Sequence, residues 1–255
     1  MIVRENINPE SPGPVVWRTD KAASSLDVGF MLAERGALAV WDSVIVKSQS
    51  AGRGQLRRQW RSPPGNIYAT LRLPRLAPFD DTAASPATGL LFAMALRSRG
   101  WPVLLKWPND LILQADASFY KLGGILLEER GEILLAGVGI NVTVAPMGIE
   151  LREDTALRAT SLSCSAIKPP FPEILWRELV NHVYSAYNDN GVFLSRWKAQ
   201  AEQILLWRGD NVELCEGGQC ERGRLVGLSA AGGLCLHTTG GQLKEFLSGT
   251  HRLVQ

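Results

Sequence analysis

Apolar and polar positions along this chain follow two periodicities, and the places where one gives way to the other mark the elements. Ser24 or Ser25 reads as the cap of a helix running to about Arg35, with Gly36 ending it. Asp42 to Val46 reads as a strand and Asn66 to Leu73 as the next, with a turn-rich connection from Leu76 to Pro86. Leu90, Leu91, Met94 and Ala95 then share one face of a helix that Gly100 stops. Trp101 to Leu105 is an apolar run with the character of a buried strand, and Pro108, which cannot donate to a ladder, closes it. Strands at Val103–Lys106, Lys121–Glu128 and Ile133–Val142 are expected to form the centre of a sheet, followed by a long connection from Thr143 to Phe171. Pro172 suits the first turn of a helix carrying Leu175, Leu179, Val183 and Tyr187 on one stripe, and a shorter helix spans about Phe193 to Ile204.

After Trp207 the texture changes. Asn211–Cys215, Glu221–Leu228, Leu234–Thr238 and Gln242–Leu247 are short alternating runs separated by the glycine pairs Gly217-Gly218, Gly232-Gly233 and Gly240-Gly241, the signature of tight hairpins. The fold expected is α+β: a mixed α/β domain over residues 1–205 and a small β barrel over 206–255, joined by too short a connection to stand apart.

Composition narrows the function classes. With 255 residues, 45% hydrophobic and 20% charged, the chain is long and apolar enough for a real core. A net charge of +2 gives no reason to expect nucleic acid. No apolar run approaches the roughly 20 residues a membrane span needs, and the opening lacks a secretory signal. Cys164, Cys215, Cys220 and Cys235 show no CxxC spacing, so reduced thiols in a cytoplasmic protein are expected. His182, His237 and His251 have no metal-ligand spacing, so zinc catalysis and a Ser-His-Asp triad have no support. The remaining chemistry must use lysines, arginines, backbone amides and carboxylates, which act through positioning and charge stabilisation.

Candidate groups cluster in a few segments. Lys106-Trp107-Pro108-Asn109-Asp110 sets a lysine, an amide and a carboxylate at a strand end, where α/β folds commonly place ligand groups. Gln49-Ser50-Ala51-Gly52-Arg53-Gly54 is a loop whose glycines allow close backbone approach and whose arginine can grip phosphate or carboxylate bidentately. Lys121 stands at the head of an apolar strand, where a charge is costly unless it faces a cleft. With Lys121-Leu122-Gly123-Gly124-Ile125-Leu126-Leu127-Glu128, Gly137-Val138-Gly139-Ile140-Asn141-Val142 and Ala159-Thr160-Ser161-Leu162, these segments resemble, in order and spacing, the motifs of biotin protein ligases. The Ser195-Arg196-Trp197 stretch looks like the family as well, and the glycine-punctuated C-terminal region is similar to its SH3-like domain.

The resemblance implies roles. Lys121 would contact both the biotin carboxylate and the phosphate, with Arg53 beside it as the second catalytic residue. Biotin would lie among Ser24, Ser25, Gln49, Gly52, Arg53, Lys121, Gly123, Gly124, Leu126, Gly137 and Gly139, and the nucleotide among Arg53, Arg58, Trp60, Asn109, Lys121, Ile140 and Asn141. Asp110 would hold Mg²⁺ brought with ATP, since Mg²⁺ takes few carboxylates plus phosphate oxygens. The activity implied is formation of biotinyl-5′-AMP from biotin and ATP, then transfer to a lysine of a carboxylase biotin carrier domain by a monomer or weak homodimer. The alternatives are a lipoate or octanoate ligase on the same fold, or a non-catalytic biotin or adenylate binder.

One departure stands out. The family loop reads GRGRxGRxW, whereas here Gln55 replaces an arginine and Arg57 a glycine, with Leu56 between them; Arg53, Arg58 and Trp60 are kept. Many family members also carry an N-terminal winged helix that represses biotin genes. About two dozen residues precede the pattern here, too few for that domain, so repression is not expected.

Overall fold

The computed structural model describes residues 2–7, 13–55, 58–145 and 157–254. Thirteen strands and four α-helices form among them. In chain order the first part runs β1 (Val3–Asn6), β2 (Val15–Ala22), α1 (Ser25–Glu34), β3 (Ser43–Gln49), β4 (Ile67–Leu73) and α2 (Ala84–Arg97). It continues with β5 (Val103–Lys106), β6 (Asp110–Ala115), β7 (Ser118–Arg130), β8 (Ile133–Ile140), α3 (Pro172–Tyr187) and α4 (Val192–Gln203). The C-terminal part is all strand: β9 (Asn211–Glu216), β10 (Gln219–Leu228), β11 (Leu234–Thr238), β12 (Leu243–Phe246) and β13 (Thr250–Leu253).

The first eight strands make one sheet in the order β1-β2-β3-β4-β8-β7-β6-β5, parallel only between β2 and β3. Alternation along each strand divides its side chains between two cores. Ile45, Leu71, Val138 and Ile125 face the larger core with α2, α3 and α4, where the rings of Phe92 and Trp176 stack at 5.6 Å. Val44, Val46, Tyr68 and Leu135 face the other way, against Leu26 and Phe30 of α1. One short helix covers only part of that second face, and the remainder is left open as a cleft.

Helix α1 begins where its sequence signals. Ser24 is extended, and its hydroxyl accepts from the Leu26 N–H at 3.3 Å, while Gly36 takes a φ of +70° just past the end. The central strands and both C-terminal helices lie close to their expected positions. Asp110, read as part of a turn, instead opens β6, because Lys106 and Asp110 pair directly across a tight hairpin. Strands β1, β2, β6 and β13 had no counterpart in the sequence reading.

The five C-terminal strands form an antiparallel sheet in the order β12-β11-β10-β9-β13. The connection to it is itself paired: Leu105 N–H donates to Ile204 and Leu206 N–H to Leu105, so the link continues the edge of the large sheet. The expectation of four reduced thiols is corrected here. Cys215 and Cys220 are joined by a disulfide, because the Gly217-Gly218 turn sets them directly opposite in the β9–β10 ladder, with Cα atoms 4.1 Å apart. Cys164 and Cys235 are free.

The small sheet is docked through its β10–β11 turn. Trp107 Nε1 donates to the Gly232 carbonyl at 2.8 Å, and Thr82 Oγ1 donates to that of Ala231 at 2.6 Å. Gly232 has a φ of +78°, and a Cβ there would lie 2.6 Å from the Ala83 Cα. Gly218 has a φ of +86° with nothing within 4 Å. Gly218→Ala should therefore cost left-handed strain alone, about 1 kcal/mol, whereas Gly232→Ala adds overpacking worth roughly 1 to 3 kcal/mol more. Equal losses in urea unfolding of the two variants would show that the docked turn is not close-packed.

Candidate functional site

The open part of the sheet holds a cleft of about 710 Å³. Its floor is formed by β4, β6, β7 and β8, its walls by the start of α1 and the loop after β3, and its far rim by Gly249 and Thr250 at the head of β13. Both parts of the chain thus line it.

Lys121 reaches the cleft because the β6–β7 ladder slips. Leu111 pairs with Gly123, but Ile112 pairs with Lys121, leaving Leu122 as the extra residue of a bulge. A bulge reverses the in-out phase of a strand. Leu122 and Ile125, three apart, therefore both enter the core, while Lys121, Gly124 and Leu126 all line the cleft. The backbone of Lys121 is fixed from its other side by Arg158 and Thr160, with its N–H donating to Arg158 at 2.8 Å and its carbonyl accepting from Thr160 at 2.9 Å. Across the ladder, Lys121 Nζ meets Asp110 Oδ1 at 2.6 Å.

Gly124 and Gly139 are directly paired on β7 and β8, and together they make a flat patch. Trp60 lies over it. A Cβ at Gly139 would stand 2.6 Å from the indole, and Lys121 Nζ sits 5.9 Å from the ring centroid. The Trp60 Nε1 is buried with no acceptor. The loop that carries Trp60 folds back on itself, Gly54 N–H donating to Arg58 and Trp60 N–H to Gly52. Arg53 anchors it: Nε and Nη2 donate to the Glu128 carboxylate at 2.9 and 3.2 Å, and Nη1 donates to Asp27 at 2.8 Å. Gln55 and Arg58 are exposed at the cleft mouth, while Leu56 and Arg57 lie outside the described residues.

The other expected residues divide. Ser24, Ser25 and Gln49 line the cleft as a bonded set, the Ser25 N–H donating to Gln49 Oε1 at 2.8 Å and Gln49 Nε2 donating to Ser62 Oγ at 3.0 Å. Gly137 also lines it, and its missing side chain admits Leu26, which a Cβ would approach to 2.9 Å. Asn109 and Asn141 line it with their amides committed inward, donating to Ile125 and Thr160 carbonyls at 2.6 and 3.0 Å. Gly52, Gly123 and Ile140 are not brought to the surface of the cleft. Gly52 packs under Trp60 and Gln49, a Cβ on Gly123 would run into the Gly139 carbonyl at 2.4 Å, and Ile140 is fully buried in the core.

Lys106, read from the sequence as a ligand-side group at a strand end but given no role, lines the cleft, and so do Tyr68, Arg158, Gly249 and Thr250, which were not singled out. Burial pushes the Tyr68 phenol up to about 12, so it stays a donor, and it donates to the Pro63 carbonyl at 2.6 Å. Among the described lining residues, Arg53, Arg58, Lys106, Lys121 and Arg158 are cations and Asp110 is the only carboxylate. Such a wall suits a polyanion. The donor set also bears on Mg²⁺, which is commonly held by one or two carboxylates plus substrate phosphates. A single carboxylate beside a cationic wall fits a metal that arrives with a nucleotide, and does not fit an all-protein cage.

Fold and cleft together define a ligand-binding α/β domain with a docked β module, built for a polyanion beside an apolar group. Residues 37–144 match the model of the biotin/lipoate A/B protein ligase family. The chain is 31% identical over 180 residues to the bifunctional ligase/repressor BirA of Escherichia coli, covering 66% of this chain and 54% of that protein. It is 29% identical over 233 residues to the biotin–[acetyl-CoA-carboxylase] ligase of Mycobacterium tuberculosis, covering 82% and 79%. The biotin protein ligase of Aquifex aeolicus, solved with biotin and ATP, superposes with a TM-score of 0.74 at 27% identity, covering 94% of this chain and 98% of that one. In the matched segment and in its fold the chain is similar to the biotin/lipoate A/B protein ligase family. It spans about half the length of the E. coli relative.

Behind the rim, His251 is fully buried with both ring nitrogens unpartnered, its centroid 6.3 Å from that of Trp107 and 5.4 Å from that of Trp207. Burial first, and the charge of Lys106 second, hold it neutral, its pKa well below the ordinary histidine value. The unfolded chain protonates it near pH 6.5, so below that pH the unfolded state binds the extra proton and stability falls, by up to about 1.4 kcal/mol per pH unit. His251→Phe should flatten this slope between pH 6.5 and 5 in denaturant titrations. A slope as steep as wild type would place the acid sensitivity elsewhere.

Proposed function

We propose that this protein is an ATP-dependent biotin protein ligase. It joins biotin to ATP as biotinyl-5′-AMP and passes biotin to a lysine of a carboxylase biotin carrier domain. The observation that carries the reading is the bulge-directed Lys121, held over Asp110 beside a flat glycine pair. A cation so held supports a reaction that brings an acid and a phosphate together.

In the first step a biotin carboxylate oxygen attacks the α-phosphorus, the bond to the bridging oxygen breaks, and its electron pair leaves with pyrophosphate. No proton need move, so the residues act by position and charge. Lys121 would neutralise both the approaching carboxylate and the α-phosphate. The Ser24, Ser25 and Gln49 set would orient the polar ring of biotin, and Leu126 would meet its apolar part. Trp60 would cover the adenylate. Asp110 would hold the Mg²⁺ that accompanies ATP, whose chemistry is to neutralise the phosphates. In the second step the carrier's lysine amine attacks the mixed anhydride carbonyl, an amide forms, and AMP leaves. A substrate such as ATP accords with a cytoplasmic location, and among the described residues no helix is long and apolar enough to cross a membrane.

Incubating the protein with ATP, Mg²⁺ and either biotin or lipoate, and looking for the acyl-adenylate, tests the reading. Adenylate from lipoate alone would replace it with a lipoate ligase, and none from either would leave a binder. Lys121→Ala should slow biotinyl-5′-AMP formation by at least about a hundredfold, the scale of losing one stabilising donor. Folding should be kept, since the side chain lies 34% exposed in the cleft. Near-normal rates in that variant would remove Lys121 from the chemistry.

The altered loop generates a second expectation. Closing a loop over a reactive anhydride excludes water. Gln55 supplies no charge where the family pattern has arginine, so the intermediate should be held less tightly and some should escape to label nearby lysines. The double variant Gln55→Arg, Arg57→Gly should slow release of biotinyl-5′-AMP. Equal dissociation rates for wild type and double variant would show that the loop seals by another route.

A further inference from the structure

On the adenylating reading of the cleft, on which this inference rests, the chain is supplied with ATP and works where thiols are kept reduced. Disulfides in such a compartment are as a rule transient, catalytic or redox-sensing. The Cys215–Cys220 bond is open to attack, because Cys220 is exposed and Cys215 half-buried near the tip of the β9–β10 hairpin. Exposed disulfides are the labile and regulatory class, whereas structural ones resist cellular thiols. This one spans a sequence separation of only 5, so it adds less to folding than a long-range crosslink would.

Its neighbours connect it to the cleft. Cys215 pairs with Cys220 on one side and with Thr250 of β13 on the other. Thr250 and Gly249 form the far rim of the cleft. Gly249 lies against the Cys215 carbonyl, which a Cβ would approach to 2.8 Å, and the Ser248 hydroxyl donates to the Glu216 carboxylate. The rim thus takes its position from the last two residues of β9, one of which is half of the disulfide. Glu213 is close as well, its carboxylate within 4.8 Å of both sulfurs. Arg222 and Arg252 both donate to it, at 2.7 and 2.8 Å, so the carboxylate is committed and the sulfur pair is left to thiol chemistry rather than to a metal ion.

We propose that Cys215 and Cys220 form a thiol–disulfide exchange site for small thiols of the glutathione type, and that its redox state sets the rim of the cleft. A thiolate attacks the exposed Cys220 Sγ, the S–S bond breaks, and its electron pair leaves on Cys215 Sγ, which takes a proton from solvent. A second thiolate attacks the mixed disulfide and releases Cys220, so two electrons pass to the protein and the two small thiols leave as their own disulfide. The reverse exchange restores the bond. Two thiols cannot stand as close as two bonded sulfurs, so on reduction β9 parts from β10 at this point and carries Gly249 and Thr250 with it. The oxidised form holds the rim in place and binds the ligand of the cleft more tightly.

Reduced glutathione, added to the folded full chain, should open the bond within hours and raise the cysteines that iodoacetamide labels after unfolding from two to four. ATP affinity, followed by calorimetry, should fall about fivefold or more, the lower end of ordinary coupling between sites. Coupling is reciprocal, so saturating ATP should shift the exchange equilibrium toward the disulfide by the same factor. The double variant Cys215→Ser, Cys220→Ser should bind ATP as the reduced wild type does and ignore glutathione; wild type reduced in place carries the test if that variant does not fold. Cys164→Ser, at an exposed free thiol, should respond as wild type does. A bond that glutathione does not open, ATP affinities within about twofold in the two states, or a response lost in Cys164→Ser would overturn the proposal. A redox-linked ATP affinity without any adenylate would uphold this site and defeat the ligase reading, whereas adenylate made at equal ATP affinity in both states would do the reverse.

Discussion

A strand that must bury leucine and isoleucine on one face and still aim a lysine out of the other cannot do so by alternation alone when the residues are spaced as they are in β7. Leu122 and Ile125 both belong to the core, and an odd spacing would send one of them into the cleft. The bulge at Leu122 resolves the conflict. With it, Lys121 comes to the open face of the sheet, where its ammonium pairs with Asp110, and the glycine pair Gly124–Gly139 follows on the same face two strands wide. Without it, the lysine would point into the packing of α2, where its charge would have no partner. The positions of the carboxylate, the tryptophan and the floor are all referred to that one slip.

The second constraint is the docking of the C-terminal sheet. Its apolar residues Leu225, Leu228, Leu234 and Leu236 join the larger core, and a tryptophan N–H and a threonine hydroxyl donate to consecutive turn carbonyls, with a glycine pressed against the start of α2. The result is a low-dielectric corner where Trp107, Trp207, His251 and Lys106 meet. Inside such a corner a lysine loses water without gaining a protein counter-charge, and histidine is held neutral. The cleft is thus graded: Lys121 is half screened and paired, Lys106 is dry and unpaired. Two cations of the same type are made unlike by what packs around them.

Much of this order was legible in the chain. Ser24 as a helix cap, Gly36 past the helix end, Pro172 in a first turn and the glycine pairs between the last strands are local signals, decided by residues a few positions apart. The central strands were legible because both their faces are buried or nearly so. What escaped was set by distant partners. Strand β2 opens with Val15, Val16 and Trp17 but continues Arg18-Thr19-Asp20-Lys21, and only its neighbours β1 and β3 hold that polar half in the sheet. Strand β6 was hidden because Asn109-Asp110 carries turn chemistry, and the turn is so tight that its second residue already pairs. The disulfide depends on cross-strand register, which no spacing rule for cysteines encodes. At the site, motif residues were found where chemistry and sequence coincide. Gly249, Thr250 and Arg158 arrive from remote segments, and the burial of Lys106, a group the strand-end motif had already offered, is set by partners far along the chain.

The arginine loop shows how a residue chosen for its charge can be occupied by structure. Arg53 gives three hydrogen bonds to two carboxylates, one on α1 and one on β7. Charge-assisted bidentate contacts of this kind are among the stronger polar interactions available to a surface loop. For the Arg53 guanidinium to grip a phosphate, these contacts would have to be exchanged, leaving Asp27 and Glu128 without their shared cation. It is more economical electrostatically for Arg53 to brace the loop across the cleft and hold Trp60 over the glycine floor. Gln55 and Arg58 of the same loop stand exposed at the cleft mouth, and Gln55 is where this chain departs from the family pattern. Loop placement and loop charge are in this way separable, the first fixed by Arg53 and its two carboxylates, the second open to change without loss of the fold.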